Sequence, residues 1–250
     1  MITVCVPAQP SDARRDARPD ARHADMVYAI KAAARAQIRE QGAAALSLGA
    51  IARALNVTTP ALYRYFDGRD ALVTSLVADA YEELGQTLQD AATNAPEALD
   101  ARFVALARAY RRWAIARPQE YILIHGAIFP GYRAPIEVVA GAALRSLHIF
   151  VDLLERAQSQ GRLRLPRAYS NPEAVARLGP IARSLPIPMV ATAYATWLSL
   201  HGLVWEELLG RLPGGLGDDG ALYDLEAAAI AERLGLADEV VAPADAPTRL

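Results

Sequence analysis

The sequence predicts an all-α protein, and three observations carry that prediction. Alanine and leucine dominate while aromatic residues make up only 7% of the chain, a balance that suits helices better than strands. Apolar residues recur at helical spacing along most of the 250 positions, with glycine and proline marking the breaks. Between Leu46 and Leu72 the stretch LSLGAIARALNVTTPALYRYFDGRDAL reads as two short helices joined by a tight turn, with a third helix starting behind them.

Residues 1 to 22 are rich in Pro, Ala, Asp and Arg, have no apolar period, and are expected to form a disordered tail. Arg14, Arg15, Arg18 and Arg22 are offset by Asp12, Asp16 and Asp20, which favours a solvated tail over a minor-groove arm. Val27, Ile30, Ala34 and Ile38 mark the buried stripe of a first helix that Gly42 ends. Ser47 is the N-cap of a second, with Leu48, Ile51, Ala52 and Leu55 on its inner face. Asn56 tolerates the left-handed backbone that closes this helix, and Val57 plugs the corner. Thr58 or Thr59 caps the next helix, Pro60 fits its first turn, and Leu62 and Phe66 point inward. Asp67-Gly68 breaks the chain again.

A longer helix follows from Asp70 to about Ala92, with Leu72, Leu76, Leu84 and Leu88 inside. Further helices are expected at about 97–116, 119–127 and 134–160, separated by Arg117-Pro118 and Phe129-Pro130-Gly131. The prolines between Gly161 and Pro188 leave room only for a short helix near 172–184. A long helix at about 188–210, a Gly-rich break at Pro213 to Gly217 and a last helix at about 220–234 complete the pattern. The chain thus divides into a tail (1–22), a head (23–69), a body (70–235) and a C-terminal tail (236–250).

Composition narrows the function. Cys5 is the only cysteine, which excludes an internal disulfide and a thiolate metal cluster and suits a reducing cytoplasm. The opening MITVCVPAQP lacks a basic export signal, and no uninterrupted apolar run reaches about 18 residues, so neither export nor membrane insertion is expected. Net charge is −2, unevenly spread: residues 26–75 carry six cations against three anions, a net +3. Residues 1–25 sum to zero, leaving −5 on the rest. A basic head on an acidic body is the asymmetry of a protein that meets phosphate at one end. Enzyme signatures are missing: His23, His125, His148 and His201 are dispersed, and there is no H-E-x-x-H, nucleophile elbow, Walker loop or dinucleotide fingerprint. Neither a metal nor a cofactor is expected.

The helix after the turn carries the chemistry of a DNA reader. Thr58 and Thr59 offer hydroxyls, Pro60 and Ala61 offer small apolar contacts suited to thymine, and Tyr63, Tyr65 and Arg69 are within reach of phosphates. The run Val57, Thr58, Thr59, Pro60, Ala61, Leu62, Tyr63, Arg64, Tyr65, Phe66 and Arg69 resembles the DNA-binding half of the tetracycline-repressor (TetR) family. That resemblance implies that Tyr63 and Arg69 anchor the DNA backbone and that Thr59, Pro60 and Ala61 face bases; Ser47 and Thr58 are also expected among the DNA-binding residues. Two positions depart from the pattern. Gly49 stands where some relatives place a base-contacting arginine, and Tyr65 replaces a frequent histidine.

Tyr194, Trp197, His201 and Trp205 lie three, four and four residues apart and form an aromatic stripe beside Gly202. TWLSLHGLVWEELLGRL resembles the Trp-His-Gly signature of one TetR C-terminal domain type, on Trp197, His201 and Gly202. An effector pocket is expected among Tyr110, Trp113, Tyr121, His125, Phe129, His148, Tyr194, Trp197 and His201, since such sites combine apolar walls with few polar groups. The expectation is therefore a homodimeric, ligand-responsive repressor that binds double-stranded operator DNA and uses the helix at 188–210, with 134–160 or 220–234, as its dimer interface; a DNA-binding regulator without a small-molecule effector and an all-α enzyme using the C-terminal pocket are the alternatives.

Overall fold

The computed structural model describes residues 13–126, 131–167, 171, 173, 187–213 and 220–237, and every regular element among them is helical. In chain order these are α1 (Ala13–Gln41), a single 3-10 turn (Ala43–Ala45), α2 (Leu48–Ala54), α3 (Thr59–Leu62), α4 (Arg69–Asn94), α5 (Leu99–Ala116), α6 (Pro118–His125), α7 (Ile136–Ser159), α8 (Ile187–Leu208) and α9 (Ala221–Arg233). The chain separates into two compact units, one of Met1–Val77 with Ile122–Pro135 and the other of Ala78–Tyr121 with Ile136–Leu250.

Within the first unit, helices α1 to α3 follow the sequence pattern except at the start. α1 begins at Ala13, so part of the segment expected as a tail is helical. Its alanines and arginines are strong helix formers, and that propensity wins over the missing apolar period. Farther along, Ile30, Ala34 and Ile38 from α1 meet Leu48, Ile51 and Ala52 from α2, Leu62 from α3, and Leu72, Val73 and Leu76 from α4 in one core. The backbone at Gly42 has φ 80°, which ends α1 at little steric cost.

The second unit packs α5 against α8 and α9, and α7 against α8. Leu84 and Leu88 of α4, Phe103, Leu106 and Tyr110 of α5, Phe150 and Leu154 of α7, and Leu200 and Val204 of α8 are buried. Polar ties fix the register of this bundle. Tyr223 donates to the Ala107 carbonyl at 2.9 Å, and Arg108 forks onto Asp224 at 2.8 and 3.0 Å. Arg111 grips Glu207 through Nε at 2.8 Å and through a second bond from Nη2. That pair is mostly shielded from solvent, so it is screened by salt less than the exposed surface pairs elsewhere. α8 is apolar enough by composition to cross a membrane, with a mean hydropathy of 1.2, yet Met189, Val190, Ala193, Leu200 and Val204 are core residues of this unit. The short helix expected near 172–184 lies outside the described residues.

Candidate nucleic-acid interface and aromatic site

Backbone chemistry positions the residues expected to face DNA. Ser47 caps α2, accepting from Ala50 N at 3.4 Å. At the other end, Val57 N donates to Ala52 O at 3.0 Å and Asn56 N to Arg53 O at 3.2 Å, while Asn56 itself sits at φ 53°. This pair of bonds about a left-handed residue is a Schellman closure, and it turns the chain sharply from α2 into α3. Thr58 is the N-cap of α3, but its hydroxyl makes no capping bond and is exposed. Pro60 stands in the first turn of α3, where a missing amide costs nothing. α3 proper has four residues, and bonds from Tyr65 N and Phe66 N to Leu62 O carry its turn onward to Phe66.

Of this segment only Leu62 and Phe66 are buried; Pro60 and Tyr63 are exposed, and Thr59, Ala61 and Tyr65 are half-buried. The ring of Tyr65 lies 4.8 Å from the imidazole of His23 on α1, a contact the sequence reading did not anticipate. Gly49 is half-buried, and a Cβ there would meet only Arg53 and Ser47 side-chain atoms at 3.7 Å, so it contributes no side chain to recognition. Arg69, which the resemblance makes a phosphate anchor, directs Nη2 at two backbone carbonyls, Ala43 O at 3.0 Å and Ala44 O at 2.7 Å. Gln37 on α1 is a second residue that sequence reasoning missed. Its amide bonds Ala45 O and Ser47 N, at 3.3 and 3.1 Å, and no local pattern marks it.

In the second unit, residues far apart in sequence form one aromatic group. Tyr121 donates to the His201 carbonyl at 3.0 Å and lies 2.6 Å from His201 Nδ1, with the Tyr110 hydroxyl 3.4 Å from the same nitrogen. Tyr121 stacks on His201 at 5.4 Å, Tyr110 packs on Trp197 at 4.6 Å, and Phe150 meets Trp197 edge-on at 5.6 Å. Trp113 and Trp205 extend the group through Tyr121, at 6.5 and 6.0 Å. Burial lowers the His201 pKa, which keeps the imidazole neutral. Burial also raises the Tyr110 and Tyr121 hydroxyls above the usual tyrosine range, and for Tyr121 it outweighs the opposing hydrogen bond from Tyr110. The result is an apolar, uncharged environment with a few fixed polar atoms.

Five of the nine expected pocket residues, Tyr110, Trp113, Tyr121, Trp197 and His201, are therefore brought together. Tyr194 turns outward and is 57% exposed. His125 belongs to the first unit, and His148 is half-buried on α7. Phe129 lies outside the described residues. Trp205 and Phe150 are the members that the expected set lacked.

A helix-turn-helix with an exposed reading segment, together with a helical unit that holds an aromatic interior, defines a class: DNA-binding regulators of transcription. Residues 30–76 match the domain of bacterial regulatory proteins of the tetR family, and residues 103–230 match the tetracyclin repressor-like C-terminal domain. The chain belongs to the TetR family and is a transcriptional regulator. It is 32% identical over 219 residues to the HTH-type transcriptional regulator Rv1816 of Mycobacterium tuberculosis, covering 85% of this chain and 92% of that one. The crystal structure of the regulatory protein SCO4313 aligns with a TM-score of 0.67 and 34% identity over 84% of this chain and 96% of the other. The fatty acid degradation regulator FadR of Bacillus halodurans shares the fold, with a TM-score of 0.57 and 13% identity over 81% and 95% of the two chains.

Proposed function

We propose that this regulator is a cytoplasmic homodimeric repressor whose two heads read a palindromic operator and which a small, largely apolar or aromatic effector releases. The aromatic group around His201 carries the effector reading. It packs aromatic rings around a neutral imidazole and two protonated hydroxyls, a chemistry that suits an uncharged ligand with one or two polar atoms. An effector binding there would release DNA through its different affinities for the DNA-binding and free conformations. The DNA contacts proposed are Thr59, Pro60 and Ala61 to bases, with Ser47, Thr58, Tyr63 and Tyr65 to the DNA backbone.

The outer face of α8 supports the dimer. Ala191, Ala195, Leu198, Gly202 and Trp205 recur along α8 at alternating steps of four and three, the spacing of a helix–helix seam, and Leu209 just past its end continues the step. Beside and within that seam Tyr194, Leu198 and Leu209 are 57%, 49% and 48% exposed. A Cβ on Gly202 would meet nothing within 4 Å, so the chain itself has no steric need for glycine there, whereas a second α8 crossing closely does. Two heads are needed to span successive major grooves about 34 to 36 Å apart.

The test is a thermal-shift screen of the full chain against uncharged aromatic and apolar compounds, followed by DNA release. The expected hit raises the unfolding temperature, frees operator DNA, and does neither with Trp197→Ala, which binds DNA normally without ligand. DNA binding insensitive to every compound that stabilises the protein would leave a regulator without this effector. Turnover of a hit would point to an enzyme.

A further inference from the structure

We propose that Arg69 is a positioning residue, which fixes the reading segment to the start of α4, rather than a ligand of DNA phosphate. This inference rests on the DNA-reading role of the head. Arg69 is the first residue of α4, and its Nη2 donates to the carbonyls of Ala43 and Ala44, 26 and 25 residues earlier. Its Nε is shielded from solvent and the residue as a whole is half-buried, so the side chain lies along the head with its Nη2 committed to these two carbonyls.

The turn it grips is held from the other side as well. Gln37 of α1 closes a two-bond clamp on Ala45 O and Ser47 N, and Ala43 and Leu46 are buried between. Residues 43–47 are the launch point of α2, because Ser47 is its N-cap. α2 in turn sets α3 through the Schellman closure at Asn56 and through the Leu62 contact with the core. A chain of short, directional bonds therefore runs from the first turn of α4 to the residues that face bases. Two carbonyls fixed by one guanidinium define an orientation that a point charge does not reproduce.

The two roles for Arg69 predict opposite results. Full-length wild type, Arg69→Met and Arg69→Lys are compared on a duplex that the wild type selects from a random pool and on a mixed-sequence duplex, over a range of salt. A positioning residue predicts a loss of about tenfold on the selected duplex in both variants and little change on mixed sequence. The slope of log affinity against log salt stays at the wild-type value. A phosphate ligand predicts equal losses on both duplexes for Arg69→Met, a slope shallower by about 0.9, and recovery by Arg69→Lys; any of these overturns the proposal. Amide hydrogen exchange of the DNA-free protein gives an independent reading. Faster exchange across 43–47 in both variants is expected, and wild-type protection there overturns the latch even if the head binds DNA as described. Should Arg69→Met fail to fold, Arg69→Lys alone decides: lost discrimination at an unchanged salt slope supports the latch, and wild-type discrimination overturns it. A wild-type protein that selects no duplex would break the reading of the head itself, and that result is seen before any variant is compared.

Discussion

The reading head and the aromatic site are assembled by opposite rules. In the head, each decisive feature sits within a few residues of the next: the Ser47 cap, the left-handed Asn56, Pro60 in the first turn of α3 and the φ 98° of Gly68. In the second unit, Tyr110 and Tyr121 reach His201 across 91 and 80 residues of chain. A head made of local backbone chemistry depends on conformational preferences. An aromatic site made by distant helices depends on packing density and paired polar atoms. Substitutions should therefore cost most where packing rules and least where a backbone preference alone is disturbed.

The largest expected effect is in the aromatic site. Tyr121 is fully buried, and Tyr121→Ala should destabilise by about 3–5 kcal/mol, read as a lower urea midpoint. Tyr121→Phe keeps the ring and removes the hydroxyl that serves His201, at an expected cost of about 1–3 kcal/mol. Equal losses from the two would mean that the hydroxyl, rather than the ring, dominates this site. In the head, Asn56→Ala forces a Cβ-bearing residue without a compensating polar group into left-handed backbone, at about 1 kcal/mol, whereas Asn56→Gly should be close to neutral. A costly Asn56→Gly would transfer the role of Asn56 from backbone to side chain and blur the contrast.

The smallest effect is in pH. Burial holds the folded-state pKa of His201 below 6.5, so the unfolded chain binds this proton more readily than the folded one. Its contribution to stability is lost as pH falls from above 6.5 toward the folded pKa, rises again with pH through that window, and is flat at higher pH. His201→Gln should remove that component from a plot of denaturation midpoint against pH. Identical plots for the two proteins would assign the dependence to other groups.

The contrast also explains what was legible in the sequence. Caps, turns and core stripes of the head were readable because each is a short-range preference: Asn56 was expected to be left-handed and is. α4 through α9 were placed to within a few residues by periodicity, where described. Periodicity tells which face of a helix is inward but not which residue on another helix it meets. For that reason Tyr194 was grouped with Trp197 and His201 although it faces outward, and Phe150 was left out although it packs on Trp197. Gln37 and Arg69 were opaque for a related reason. Their partners are backbone carbonyls and an amide, which leave no side-chain signature.

The four residues of α3 have one further consequence. Leu62 alone among Thr59, Pro60, Ala61 and Leu62 is buried, and the turn that aims the segment is made by its neighbours. Exchanges at Thr58, Thr59 and Ala61 therefore lie nearly outside the balance that keeps the protein folded. On the DNA contacts proposed above, single steps there would move a regulator of this kind from one target site to another, each step giving a folded protein while the rest of the chain is inherited unchanged.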